Sequence, residues 1–208
     1  MECKNKLLII GASGHGKVVV DIAVKMNVWK HIYFLDDNEL IKTSVGIEVL
    51  EKSAGAYKYL DEADIFVAIG NNETREDIQE KLIAEGANIP ILIHPDAVIG
   101  PEVEIGIGTV VMAGVVINSS TKTGRGCIVN TGATLDHDNM LGDYVHISPG
   151  ATLAGTVKVG RNSWLGVGST VSNNVNITND CKIGAGAVVI KDITESGTYV
   201  GIPARKVK

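Results

Sequence analysis

The apolar positions follow two different periods, and the change falls near residue 93. In residues 1–93 short apolar runs alternate with helical stripes. Lys6–Ile10 ends in glycine and predicts a strand. Residues 17–26 place Val18, Ile22 and Met26, with Val19 and Ala23 beside them, on one helical face. His31–Leu35 predicts a second strand ending in Asp36-Asp37, and residues 65–69 a third ending in Gly70-Asn71-Asn72. Residues 74–85 predict a helix with Ile78, Leu82 and Ile83 together and Gly86 closing it. Residues 89–93 predict a fourth strand. Strands alternating with helices imply a small parallel sheet covered on both faces, an α/β, Rossmann-like unit. The stretch around Gly46 reads as irregular.

Beyond Ile93 every sixth residue from Ile99 to Val189 is aliphatic, with Thr123 as the exception and no inserted residue anywhere in the run. Two positions before each aliphatic the side chain is small, as at Thr109, Cys127, Ala133, Ala151, Ser163 and Ala187, with Asn139 as the exception. Such a period defines a solenoid. Six residues make a short strand and a corner, and three such units close a triangular coil. The next coil stacks about 4.8 Å above it. The aliphatic residues point inward, and the small residues fill the crowded corners. The expected division is an α/β unit at 1–93 and a β-helical unit at 94–208.

Composition fits this picture. Only 4% of residues are aromatic while glycine supplies 24 of 208, which suits a thin, regular interior. The net charge of −5 argues against a nucleic-acid partner, which usually meets a basic face. No apolar run reaches the roughly 18 residues of a membrane span. Cys3, Cys127 and Cys181 are far apart, without metal or disulfide spacing, which fits a reducing, cytoplasmic setting.

The segment Gly11-Ala12-Ser13-Gly14-His15-Gly16-Lys17 joins the first strand to its helix. It matches neither the P-loop nor the dinucleotide glycine spacing in full. Its location is more informative, because N–H groups at a helix N-terminus favour anions and small residues let a phosphate approach. Asp36-Asp37 lie about 20 residues further on, where an acid in a nucleotide-binding βαβ unit meets hydroxyls or base edges. Gly70 ends the third strand on the same carboxyl edge.

Within the solenoid, Leu135 is inward, so His137 in Asp136-His137-Asp138 falls at a corner and can project outward. A histidine titrates near neutrality, and flanking acids can fix its tautomer and raise its basicity. His146 precedes the inward Ile147, and its phase turns it to the outer surface, half a coil from His137. His94 and His31 read as structural and solvated positions.

The repeat resembles that of the hexapeptide-repeat acyltransferases, which implies a left-handed parallel β-helix and a homotrimer with sites between neighbouring prisms. The segments GASGHG, LDD, IGNNETR, NTGATLDHD and YVGIPARKV, spread over the whole chain, resemble sugar acetyltransferases of the NeuD type. Within that family they are most similar to the enzymes that N-acetylate UDP-4-amino-4,6-dideoxy-N-acetylglucosamine. Perosamine N-acetyltransferases and sialic-acid O-acetyltransferases share the two-domain plan. The resemblance implies acetyl-CoA as co-substrate and a nucleotide-linked amino sugar as acceptor, with no metal. It implies His137 as general base and Asp138 as the acid that raises its basicity. It places acetyl-CoA against His146, Gly155, Val167 and Ala185, although a glycine is usual at the last. It places the nucleotide sugar against Ser13, Gly14, His15, Asp36, Asp37 and Gly70, with Asn130 assisting the histidine or the substrate across the trimer interface. In the family the acid beside the histidine is often Glu, one methylene longer than Asp138.

Two other readings compete. A γ-carbonic-anhydrase-like metal enzyme needs three converging histidines, of which His137 and His146 supply two. A non-catalytic nucleotide-sugar sensor would use the solenoid only to trimerise, and the Asp-His-Asp placement speaks against it. O-acetylation of sialic acid or another sugar stays open.

Overall fold

The computed structural model describes residues 4–207, so Cys3 lies outside the described residues. The chain divides between Pro95 and Asp96 into two compact units.

The first unit is built on a five-stranded sheet. Strand β1 (Lys6–Ile10) leads into α1 (Gly14–Met26), and β2 (His31–Leu35) follows. A hairpin of β3 (Thr43–Ser44) and β4 (Ile47–Glu51) comes next, then a 3-10 helix (Ser53–Tyr59), β5 (Asp64–Val67) and α2 (Asn72–Ala84). The order is β3-β4-β2-β1-β5, parallel except for the β3 edge. The chain moves outward from β1 to β2 and β4, then returns to the other side of β1 as β5. The carboxyl ends of β1 and β5 therefore flank the point where the winding reverses, where open α/β sheets bind ligands.

Both faces of the sheet are covered. Leu8, Ile10, Ile65 and Val67 pack with Ala56 of the 3-10 helix and Leu82 of α2, while α1 buries Val19, Val20, Ile22 and Ala23. Central strands covered on both sides read as continuous apolar runs, which is why β1 was visible in the sequence.

The structure corrects three expectations here. Helix α1 begins at Gly14 and takes in most of the glycine turn. The fourth strand shortens to Leu92–Ile93 and is not one of the strands of this sheet. The stretch around Gly46 is the tip of a two-residue hairpin, with Val45 at φ 44° and Gly46 at φ 81°. Two successive positive φ values are what a type I′ hairpin turn demands.

The second unit is a triangular prism of two-residue strands, each paired in parallel with the strand directly above it in the next coil, as Thr134 with Thr152 and Leu135 with Leu153. The inward positions Val111 through Val189 are buried apart from small exposures, and Thr123, the polar exception, is 7% exposed. At every sixth position from Glu102 to Gly186 one corner residue is left-handed, with φ between 56° and 71°. The glycines that directly follow the aliphatics serve another purpose. A Cβ on Gly106 would stand 2.3 Å from the Gly124 carbonyl oxygen, and one on Gly160 2.4 Å from the Asn179 nitrogen, so close stacking of coils excludes it.

On one face the parallel ladder ends in Cys181–Ile183, then Gly197–Val200, and then Arg205–Lys206, which pairs antiparallel with Tyr199 and Val200. Cys127 and Cys181 are buried. Among the described residues no helix is long and apolar enough to cross a membrane.

Candidate active site

The corner after strand Thr134–Leu135 carries His137 and Asp138. Asp138 takes the left-handed corner conformation, with φ 58°. This turns its carboxylate back onto the preceding ring, where Oδ2 lies 2.7 Å from His137 Nδ1. With Nδ1–H donating to Asp138, the lone pair is on Nε2. That hydrogen bond raises the His137 pKa above its ordinary value near 6.5, against a smaller opposing effect of desolvation, and the charge of Asp136 adds to the rise.

Asp136 also fixes the corner: its Oδ1 accepts the His137 N–H at 2.9 Å and the Asn118 amide at 2.9 Å. These bonds, Asn118's first, hold its own carboxyl below the usual range. The Asp136 carbonyl accepts Thr121 Oγ at 2.8 Å and Asn139 Nδ2 at 2.6 Å. Asn139, the polar exception among the small positions, is fully buried. Its Oδ1 accepts the Val157 N–H one coil on, so it ties the histidine's corner to the stack. The ring itself remains open to solvent, with the side chain 57% exposed.

Gly155 lies one coil beyond His137, directly against the imidazole. Among the described residues no backbone hydrogen bond uses its N–H.

His146 belongs to another face of the prism. Its phase is outward as expected, yet it is only 9% exposed, because Trp164, its vertical neighbour in the next coil, covers it. The two rings are parallel within 3° at 5.4 Å between centroids, and Trp164 Nε1 donates to Ser148 Oγ at 2.7 Å. Asn130 Nδ2 lies 3.2 Å from His146 Nε2. An amide nitrogen only donates, so Nε2 accepts. Val167 and Ala185 are exposed at equivalent positions of successive coils, on the corner that follows this face. One chain therefore groups Asn130, His146, Val167 and Ala185 on one side, and His137, Asp138 and Gly155 on another. Within a single prism His146 and Gly155 therefore lie on different sides.

In the first unit the glycine turn meets the end of β5. Gly11, at φ 102°, sits where a Cβ would be 2.9 Å from the Ala68 carbonyl oxygen. Ser13 and Gly14 are exposed at the start of α1, and the Ser13 side chain makes no capping bond. Among the described residues His15 Nε2 is buried without a hydrogen-bond partner. Burial, and then the nearby Arg75 guanidinium, lower its pKa to about 4, so the ring is neutral at pH 7. Arg75, 1% exposed, donates to the carbonyls of Ile69 and Gly70 and to Asn72 Oδ1. Sequence spacing gives this arginine no role. The one available signal is its place at the start of the helix after the third predicted strand. Asp36 Oδ2 accepts the Ala12 N–H, and Asp37 Oδ1 accepts the Ser53 N–H at 3.0 Å. A cavity of about 450 Å³ lies beside Asp36, lined also by Asn38, Lys42, Val49 and Glu51.

These two units define a β-helix protein with an open, mostly parallel α/β unit. Residues 6–82 match the family described as the PglD N-terminal domain. Over its length the chain is 40% identical to the acetyltransferase domain of PglB from Neisseria gonorrhoeae FA1090, covering 98% of this chain and 100% of that one with a TM-score of 0.95. That domain has also been solved with acetyl coenzyme A. PerB from Caulobacter crescentus, solved with CoA and GDP-perosamine, is 36% identical over 96% of this chain and 95% of that chain, with a TM-score of 0.90. UDP-N-acetylbacillosamine N-acetyltransferase of Bacillus subtilis (strain 168) is 37% identical over 112 residues, half of this chain and half of that enzyme. The chain belongs to the hexapeptide-repeat sugar N-acetyltransferase family, and its prism is the left-handed parallel β-helix of that family.

Proposed function

We propose that this chain transfers an acetyl group from acetyl-CoA to the 4-amino group of a nucleotide-linked amino-deoxy sugar, with UDP-4-amino-4,6-dideoxy-N-acetylglucosamine as the acceptor. The observation that carries this reading is the His137–Asp138 pair, a solvent-facing imidazole whose Nδ1 is held at 2.7 Å by a carboxylate. The relative solved with acetyl coenzyme A and the one solved with CoA and GDP-perosamine supply the donor and acceptor classes.

The amine, with its lone pair free, attacks the thioester carbonyl carbon. His137 Nε2 takes the proton that nitrogen loses, and Asp138 stabilises the imidazolium. The Gly155 N–H receives the developing oxyanion. Collapse of the tetrahedral intermediate breaks the C–S bond, and the leaving thiolate takes the proton held on His137, which releases CoA and returns the neutral ring. No cysteine takes part, so the acetyl group passes directly.

His146, Val167 and Ala185 contact the acetyl-CoA arm, and Asn130 assists from the same face. Because that face and the His137 corner lie on different sides of one prism, the complete site draws on two copies, in a homotrimer. Ser13, Gly14, His15, Asp36, Asp37 and Gly70 bind the nucleotide sugar, its base entering the cavity beside Asp36.

His137→Ala tests the reading. It is expected to leave a folded protein that binds acetyl-CoA and loses about 10²–10⁴-fold in turnover. Turnover within about threefold of wild type would remove His137 as the base. CoA-release assays against UDP-, GDP- and dTDP-linked amino sugars, and their hydroxyl counterparts, identify the acceptor.

A further inference from the structure

We propose that Gly155 is a positioning residue for this reaction: by lacking a side chain, it provides the seat on which the His137 ring lies against Asp138. The proposal rests on His137 being the base.

Corner residues three hexads apart stack in columns, and Ser119, His137, Gly155 and Asn173 form one of them. Hydrogen bonds between coils fix its register: Asp138 N–H donates to Ser119 O, Thr156 N–H to His137 O at 2.9 Å, and Asn174 N–H to Gly155 O. The His137 side chain leans onto the next coil. A Cβ built on Gly155 would stand 2.6 Å from His137 Cε1, 2.6 Å from Nε2 and 3.2 Å from Cδ2. Nothing other than the imidazole is that near.

Two other reasons for a glycine are absent. Gly155 is not among the residues with positive φ, so an alanine fits its backbone without strain. Nor does it face the backbone of the next coil, as Gly106, Gly142 and Gly160 do. What a methyl group here would displace is a half-exposed ring, free to rotate into solvent. Rotation about the His137 side chain takes Nδ1 off Asp138 Oδ2 and carries Nε2, the proton-accepting atom, away from its place. Gly155 thus acts through His137, in addition to any role of its N–H, which alanine retains.

The test is Gly155→Ala, alone and combined with His137→Ala. The single variant is expected to fold, to lose about 10²-fold or more in kcat, and to show a His137 ring titrating nearer its ordinary value, read by NMR of the Cε1 proton. Added to His137→Ala, the same change is expected to cost less than about threefold, because the ring it displaces is gone. If Gly155→Ala alone unfolds, a folded double variant supports the conflict with the ring, and an unfolded one overturns it. A His137 titration unchanged in Gly155→Ala, or a full further loss in the double variant, also overturns it. If His137→Ala stays active, the base assignment fails, while the ring titration in Gly155→Ala still decides whether the seat exists.

Discussion

Asp36 at the end of β2 accepts the backbone N–H of Ala12 at 2.7 Å, far back along the chain. Its other oxygen accepts the Asn38 N–H at 2.8 Å. The acid that the sequence points to as a ligand for substrate is therefore already engaged in holding the glycine turn in shape.

Asp36→Ala should accordingly weaken nucleotide-sugar binding more than Asp37→Ala, whose carboxylate holds the Ser53 N–H at the start of the 3-10 helix. A hydrogen bond to a charged group contributes about 1.5–3 kcal/mol, or roughly 10- to 100-fold in affinity. Acetyl-CoA affinity should be unchanged in both variants. Calorimetric titration with each ligand in turn would show it, and an equal loss for both ligands would sink the separation of the two sites.

Asp138→Asn should shift the pH profile. The carboxylate raises the His137 pKa, and the neutral ring is the active form, so wild-type kcat/KM rises with pH through a value above 6.5. Removing the charge lowers that pKa, so the acid limb moves to lower pH while the plateau falls about tenfold or more with the weaker base. An acid limb that stays in place in Asp138→Asn would detach the observed ionisation from His137.

His15 makes a prediction about stability. Its folded pKa, about 4, lies below the ordinary 6.5, so between these values the unfolded chain binds a proton that the folded one refuses. Stability therefore falls as pH drops from 6.5 towards 4 and levels off below. Denaturant titrations at several pH values should show a shallower acid decline for His15→Gln than for wild type. Equal slopes would mean that the ring is not held neutral.

Inserting one residue after Leu153 should abolish both activity and assembly. Each coil registers on the next at an interval of three hexads, as Leu153 does on Val171. An extra residue turns the following inward side chains outward, at about 1.5–3 kcal/mol for each large one exposed. A few of these exceed the roughly 5–15 kcal/mol that stabilises a domain. Light scattering and circular dichroism would reveal an intact, active variant, which would contradict a continuous buried stack.

The prism was legible because burial at a fixed interval leaves an unmistakable record: each inward aliphatic must recur every sixth residue or the coil cannot close. The corner position of His137 was legible because it falls two residues beyond the inward Leu135, between two acids. The hairpin at Val45-Gly46 was not, since a valine at positive φ carries no turn signature and β3 is very short. Arg75 escaped because its role comes from carbonyls of the β5–α2 turn that it donates to, contacts that sequence spacing does not reveal. The cover that Trp164 places over His146 could have been read from their separation of three hexads, once that interval was known to join vertical neighbours. The same interval links His137 to Gly155.

The antiparallel pairing of Arg205–Lys206 with Tyr199–Val200 has a consequence for solubility. A stack of parallel strands has an open top, and any strand of matching spacing, including one from another molecule, could continue it. On this face the last pairing runs in the opposite direction and places two cations on the outer strand. Charged, reversed edges resist templated growth. Replacing those two residues by uncharged ones is expected to leave the chemistry of the corner untouched and to raise end-to-end association, read by light scattering.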